Sequence, residues 1–153
     1  MKIGLLGLLT FETIYPLSKR FTHWPQAWLS FDCAWGLPVA WVAVNDSIDW
    51  RLVSALVVGI AYWTIHFDTI YVCPDKKDDI HAGVHSCALL FGDYIRPILS
   101  FFASIFVLSL AYAGYENQQG PLYFTVTVAG TAAHMFWQLT RPNLEKEGTK
   151  ICT

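Results

Sequence analysis

Two stretches of this chain contain no charged residue over about the length a helix needs to cross the hydrocarbon core of a bilayer. Pro97 to Tyr115 runs nineteen residues and Gly120 to Thr140 runs twenty-one. At 1.5 Å per residue each suffices for a hydrocarbon core of about 30 Å. Leu52 to Val72 is charge-free until Asp68, and Trp24 to Asn45 is interrupted only by Asp32. A fifth stretch, Ile3 to Ser18, is shorter and contains Glu12. Only 14% of the 153 positions are charged and 54% are hydrophobic, against roughly a quarter charged in soluble domains. These features predict an all-α, multi-pass transmembrane bundle of about five spans. Strands of alternating polarity are absent from the sequence, which disfavours a barrel. A secretory signal peptide is the competing reading of the N-terminus, but the residues near Tyr15 lack a small-residue cleavage pattern.

Loop charge tests the span assignment independently. Lys19 and Arg20 follow the first span, Lys76, Lys77 and Arg96 the third, and Arg141, Lys146 and Lys150 the fifth. In a five-span topology these regions share one side, which therefore holds eight of the ten basic residues; Lys2 and Arg51 lie opposite. That asymmetry is the one expected of a cytoplasmic or matrix face. The expected localisation is thus an integral membrane, with the organelle open. A net charge of −2 supplies no basic surface for nucleic acid. The four cysteines form no CxxC pair, which supports neither a disulfide scaffold nor a paired-thiolate zinc site. Residues 1–141 are assigned to the membrane domain and 142–153 to a polar C-terminal tail.

Chemistry concentrates in DTIYVCPDKKDDIHAGVHS, Asp68 to Ser86. Asp68, Asp75, Asp78 and Asp79 fall within twelve residues. Carboxylates this close repel one another unless a cation neutralises them, and Mg²⁺ is held by one or two carboxylates together with substrate phosphates. The cluster therefore predicts Mg²⁺ and a diphosphate ligand. Tyr71, Asp75 and Asp79 are four apart and would share a helical face, with Asp68 extending it, although Pro74 bends or splits such a helix. DKKDD alone also reads as an ordinary solvated turn. Asp68 favours the ligand reading, because an acid at the end of an apolar span costs up to about 2.5–3.5 kcal/mol at mid-helix. His81 and His85 are not read as metal ligands, since Gly83 lies between them and no third soft ligand has suitable spacing. His23, His66 and His134 read as hydrogen-bonded packing residues.

Two segments resemble the UbiA family of intramembrane prenyltransferases. Tyr15 to Gln26, YPLSKRFTHWPQ, resembles the family's YPxxKRxTxxPQ element. Asp68 to Asp93 resembles its second aspartate motif and the GV…LFGD stretch that follows. The resemblance implies part of a nine-helix fold and Mg²⁺-dependent transfer of an isoprenyl group from a prenyl diphosphate to an aromatic, phenolic or quinone-precursor acceptor. It implies that Asp75, Asp78 and Asp79 face the metal, that Asp68 and Tyr71 line the reacting region, and that Lys19, Arg20 and Lys76 bind substrate. Trp35, Trp41, Trp63, Phe67, Phe101 and Phe102 offer π faces to an allylic cation, and read equally as packing or lipid-facing residues.

The chain departs from the family in three respects. The first motif, NDxxDxxxD, should precede Tyr15 and does not; His85 stands where Lys is common; and the ninth helix would follow the polar tail. NDSIDW, Asn45 to Trp50, resembles part of the first motif but falls in the loop opposite DKKDD. The expectation is a partial member, inactive or incomplete by itself. The alternatives are a non-catalytic membrane subunit or remnant packing against a full-length enzyme and, with support only from Asp32 and Glu12, a small transporter.

Overall fold

The computed structural model describes residues 13, 24–45, 47–72, 87–91 and 94–140. Among them the secondary structure is entirely helical: α1 is Pro25–Val44, α2 Trp50–Val72, α3 Cys87–Phe91, α4 Ile95–Glu116, α5 Pro121–Tyr123 and α6 Gly130–Thr140. A π-helical segment, Phe124–Ala129, joins α5 to α6 without leaving the helical path. Three helical segments, Gln26–Val44, Trp50–Val72 and Ile95–Glu116, are each long and apolar enough to cross a membrane. The predicted span from Gly120 is one helical path from Pro121 to Thr140, with its α-run broken by the π segment. The predicted span Ile3 to Ser18 and the tail 142–153 lie outside the described residues.

Local chemistry sets the helix ends. Pro25 occupies the first turn of α1, where its missing N–H costs nothing, whereas Pro38 removes a donor inside the helix. Asp49 starts α2: its Oδ1 accepts from the backbone N–H of Arg51 (3.0 Å) and Leu52 (3.2 Å), an N-cap. At the end of α4 the Asn117 backbone and side chain both donate to the Ala113 carbonyl, and Gln118 turns into the left-handed region at φ 49°. This is the usual way to satisfy the last carbonyls of a helix.

The helices pack in chain order, α1 on α2, α2 on α4 and α4 on α6. α2 and α4 run antiparallel. Gly59 meets Ser109, Tyr62 meets Phe102 with ring centroids 5.1 Å apart, and His66 meets Leu99, so the residue number rises on one helix as it falls on the other. A Cβ on Gly59 would fall on Ser109 Oγ, and one on Gly114 would fall on the Tyr123 ring. Backbones therefore approach closely at small residues, the packing mode that serves helices in lipid. Ala34, Ala103 and Ala113 are buried along these seams, while Leu108, Leu122 and Phe136 point outward at 67%, 76% and 69% exposure. Small residues at the seams and large apolar side chains turned outward suit a hydrocarbon solvent rather than water.

Exposed aromatic residues mark both ends. Trp50 and Tyr115 lie at the end that carries the connections 45–49 and 117–120; Trp24, Tyr71 and Tyr94 lie at the other. Trp50 and Tyr71 are separated by about 32 Å of helix, close to the span of a hydrocarbon core and the usual place for interfacial Trp and Tyr. The larger core cluster sits toward the second end and comprises Ile65, Cys87, Phe91, Ile95, Leu99 and Phe102, with Leu139 of α6 packed against it.

Candidate functional site at the polar end of the bundle

Five elements converge at that second end: the start of α1, the end of α2, α3, the start of α4 and the end of α6. In an otherwise apolar bundle this end collects buried polar side chains. Gln26, Ser30, His66 and Thr69 are all at most 2% exposed. Each needs a partner or it costs a desolvation penalty of about 1–3 kcal/mol. Gln26 Oε1 accepts from the Cys87 backbone N–H at 3.0 Å, across 61 positions of sequence. Ser30 Oγ donates to the Ala27 carbonyl. His66 Nδ1 donates to the Leu99 carbonyl at 3.0 Å, which fixes the proton on Nδ1; Gln138 of α6 also interacts with the ring, although Nε2 has no partner of hydrogen-bond geometry. Thr69 Oγ1 is buried without a hydrogen-bond partner.

Asp68 belongs to this group. It is half-buried, its Oδ2 is shielded from solvent, and its charge acts on the thiols of Cys33 on α1 and Cys87 on α3. The carboxylate thus sits at the junction of α1, α2 and α3, one turn before the segment that carries the other acids. Cys87 lies outside the three spanning helices. Burial pushes its thiol up to about 12, with the Asp68 charge adding to the rise and the Gln26 contact opposing it.

Tyr71, the other described candidate, faces elsewhere. It is 71% exposed and its ring stacks on Phe67, which stacks in turn on Trp63, with centroids 6.5 and 5.8 Å apart. These residues form an aromatic stripe at four-residue spacing on the outward side of α2. Asp68 and Tyr71 therefore occupy neighbouring but distinct faces. Of the other aromatic residues, Phe102 is in the core, Phe101 is exposed, and Trp41 donates to the Ser47 carbonyl at the far end. Asp75, Asp78, Asp79, Lys19, Arg20 and Lys76 lie outside the described residues, as does the chain from 73 to 86.

Among the described residues no group of three or more His, Cys, Asp or Glu could hold a metal ion. The described acids at this end are Asp68 and Asp32, whose charges both act on the Cys33 thiol, and carboxylate oxygens are hard donors of the kind Mg²⁺ accepts. The described acid of the look-alike sequence after Asn45 lies at the opposite end. Asp49 caps α2 at its start, about 28 Å of helix from Asp68. His66 has the packing role expected of it. Gln26 carried no assigned role in the sequence, although a long amide directly after a helix-starting proline in WPQAW was the available signal.

An antiparallel helical bundle with an apolar exterior and aromatic borders defines an integral membrane protein. The chain belongs to the UbiA prenyltransferase family, whose profile matches residues 1–151. It is 47% identical over 143 residues to a UbiA prenyltransferase of Ampulloclitocybe clavipes, covering 94% of this chain and 45% of that protein. It is 35% identical over 147 residues to the mitochondrial 4-hydroxybenzoate polyprenyltransferase of Schizosaccharomyces pombe, covering 95% and 41%. The mitochondrial 4-hydroxybenzoate polyprenyltransferase of Mus musculus is 40% identical over 137 residues, covering 90% and 36%. The chain thus spans less than half the length of each of these relatives. No solved structure matches it.

Proposed function

We propose that this chain carries the second-aspartate-motif half of a membrane prenyltransferase that moves an isoprenyl group from a prenyl diphosphate to an aromatic acceptor. The observation that carries the reading is Asp68, a half-buried carboxylate at the membrane end of α2, held where the helix leads directly into the DKKDD run. Membership of a family whose relatives are named for prenyl transfer to 4-hydroxybenzoate supports it.

In the proposed reaction the carbon–oxygen bond of the prenyl diphosphate breaks, a carbon–carbon bond forms to the acceptor ring, and the ring proton leaves with diphosphate as the second product. The barrier falls when charge building on the leaving diphosphate is stabilised and water is kept from the allylic cation. Asp75 and Asp79, with Asp78 beside them, would hold Mg²⁺, which when bound supplies electrostatic stabilisation of that diphosphate. Lys19, Arg20 and Lys76 would bind the diphosphate or an acidic acceptor. Asp68 and Tyr71 would border the reacting region, and the apolar, aromatic-rich helices would shed water from it.

The test uses the chain in lipid nanodiscs with Mg²⁺, farnesyl diphosphate and 4-hydroxybenzoate. The expected result is a thermal shift that depends on the diphosphate and is lost in Asp75→Ala or Asp79→Ala. Formation of prenylated product would extend the reading from binding to turnover. Absence of both product and diphosphate-dependent shift refutes it in favour of a non-catalytic membrane subunit, which would be indifferent to those substitutions.

A further inference from the structure

We propose that the groove between α4 and α6 seats one acyl chain of an anionic phospholipid, with Arg96 holding its phosphate at the membrane surface. This lipid site does not depend on the prenyl-transfer reading above.

The groove has a volume of about 420 Å³, within the range of small-molecule sites, about 300–1,000 Å³. Buried Ala103 and Met135 form its floor, and the exposed side chains of Leu108 and Phe136 flank it. An exposed groove on a spanning bundle opens to lipid. Two hydroxyls also line it, but neither asks for a polar guest. Ser100 Oγ donates to the Arg96 carbonyl at 2.9 Å and Ser104 Oγ to the Ser100 carbonyl at 2.8 Å, so both are satisfied within α4. The interior therefore suits hydrocarbon.

Position selects the guest. Along α4 the lining runs from Ser100 to Leu108, about 12 Å of helix, and along α6 it runs back from Leu139 to Ala132. Its outer end lies at the polar end of the bundle, where Leu139 packs on the cluster that contains Leu99. From there it descends about the depth of one leaflet in a hydrocarbon core of about 30 Å. One acyl chain follows such a path. At the outer end Arg96 is exposed and stands one turn from Ser100 on the same face of α4. Helical side chains lean toward the N-terminus, so the guanidinium reaches away from the hydrocarbon toward the level of exposed Tyr94. A guanidinium binds phosphate through two parallel N–H donors, and basic sites between membrane helices collect anionic headgroups. A second copy of the chain fits less well. A two-fold axis along the membrane normal would bring both Arg96 side chains to one level on the shared face, where like charges repel.

The experiment places the full chain in nanodiscs of phosphatidylcholine, alone or with phosphatidylglycerol. Melting temperature is read together with the lipid retained after release into mild detergent, by native mass spectrometry. Wild type is expected to melt higher with phosphatidylglycerol and to retain it over phosphatidylcholine, a preference that shrinks as salt rises from about 0.1 M to about 0.5 M. Arg96→Gln is expected to weaken phosphatidylglycerol retention about fivefold, the scale of one cation at an anionic surface, whereas Arg96→Lys stays within about twofold of wild type. Arg51→Gln removes a cation at the opposite end and is expected to change nothing. Ser104→Leu fills the groove from an exposed position and is expected to abolish phosphatidylglycerol retention at unchanged charge. Equal retention of the two lipids by wild type, or equal losses in Arg96→Gln and Arg51→Gln, overturns the inference. So does a folded Ser104→Leu that keeps phosphatidylglycerol, since the headgroup would then bind without the groove. Displacement of phosphatidylglycerol by farnesyl diphosphate would assign the groove to the prenyl substrate, and a dimer in phosphatidylcholine that Ser104→Leu dissociates would assign it to a second copy; either result also overturns the inference. Should Ser104→Leu fail to fold, Ser100→Leu, at the next exposed position along the groove, replaces it with the same expectations.

Discussion

Replacing Gly59 by Ala tests the helix seam on which the polar end depends. The new Cβ would lie 2.7 Å from Ser109 Cβ and closer still to Ser109 Oγ, with Phe106 next at an ordinary 3.6 Å. Carbon atoms rest about 3.5–4.0 Å apart, so α2 and α4 must separate by about 1 Å. A gap of that size forfeits about a quarter to a half of each dispersion well along the seam, and overpacking of this kind costs about 1–3 kcal/mol. Ala gains about 1 kcal/mol over Gly in helix propensity, which leaves a net loss of up to about 2 kcal/mol. For a chain of this size that is a fall of up to roughly 8 °C in melting temperature. Ser109→Gly alone also destabilises, by about 0.5 kcal/mol through propensity, and removes the Ser109 hydroxyl that donates to the Phe106 carbonyl. The double variant removes both clashing atoms and leaves only the ordinary contact with Phe106. It is therefore expected near wild-type stability, with a coupling energy of about 2 kcal/mol in a double-mutant cycle. Unfolding in detergent measures all four corners. A Gly59→Ala variant more stable than wild type, or additive effects in the double variant, would show that the seam is looser than described and refute the reasoning.

The Cys87 thiol provides a pH test. Its folded value lies near 12, against an ordinary value of 9.0. A group raised on folding contributes stability that is complete below its unfolded value and is lost as pH rises toward its folded one. Stability should thus fall between about pH 9 and pH 12 in wild type and less so in Cys87→Ala, followed by thermal unfolding across that range. The same buried thiol should resist maleimide at about pH 8 in the folded bundle and react once unfolded, read by mass spectrometry. Asp49→Ala should cost about 1 kcal/mol by removing the α2 cap, with no change in the farnesyl diphosphate shift. A lost shift would instead tie the far end of the bundle to the ligand.

Much of the architecture could be read from the sequence because charge-free length is a one-dimensional property. Nineteen uncharged residues between Arg96 and Glu116 leave little but a spanning helix, and Ile95–Glu116 is one. Counting spans puts the Asp49 loop at the end opposite Asp68, and the continuous helix Trp50–Val72 separates them in that way, with Asp49 at its start and Asp68 near its end. Other features depend on which residues meet in three dimensions. The π segment at Phe124–Ala129 has no composition signal. The separation of Asp68 from Tyr71 arises because one turn of α2 has an inward and an outward face, and only the neighbours decide which is which. The Gln26 bond to Cys87 links positions far apart in the chain, so the local pattern in WPQAW marks the amide but not its partner.

The short connection between α1 and α2 bears on how the chain enters its membrane. Each of these helices carries an aspartate within its apolar length, Asp32 and Asp68, and the two carboxylates act on the same thiol, Cys33. A lone helix must carry its acid into lipid unshared, at a cost of up to about 2.5–3.5 kcal/mol at mid-helix. Joined by a tight turn that Asp49 caps and Trp41 closes onto the Ser47 carbonyl, the pair can leave the insertion machinery as one hairpin with its acids turned toward each other's polar groups. The more apolar α4 carries no acid within its apolar length and needs no such companion.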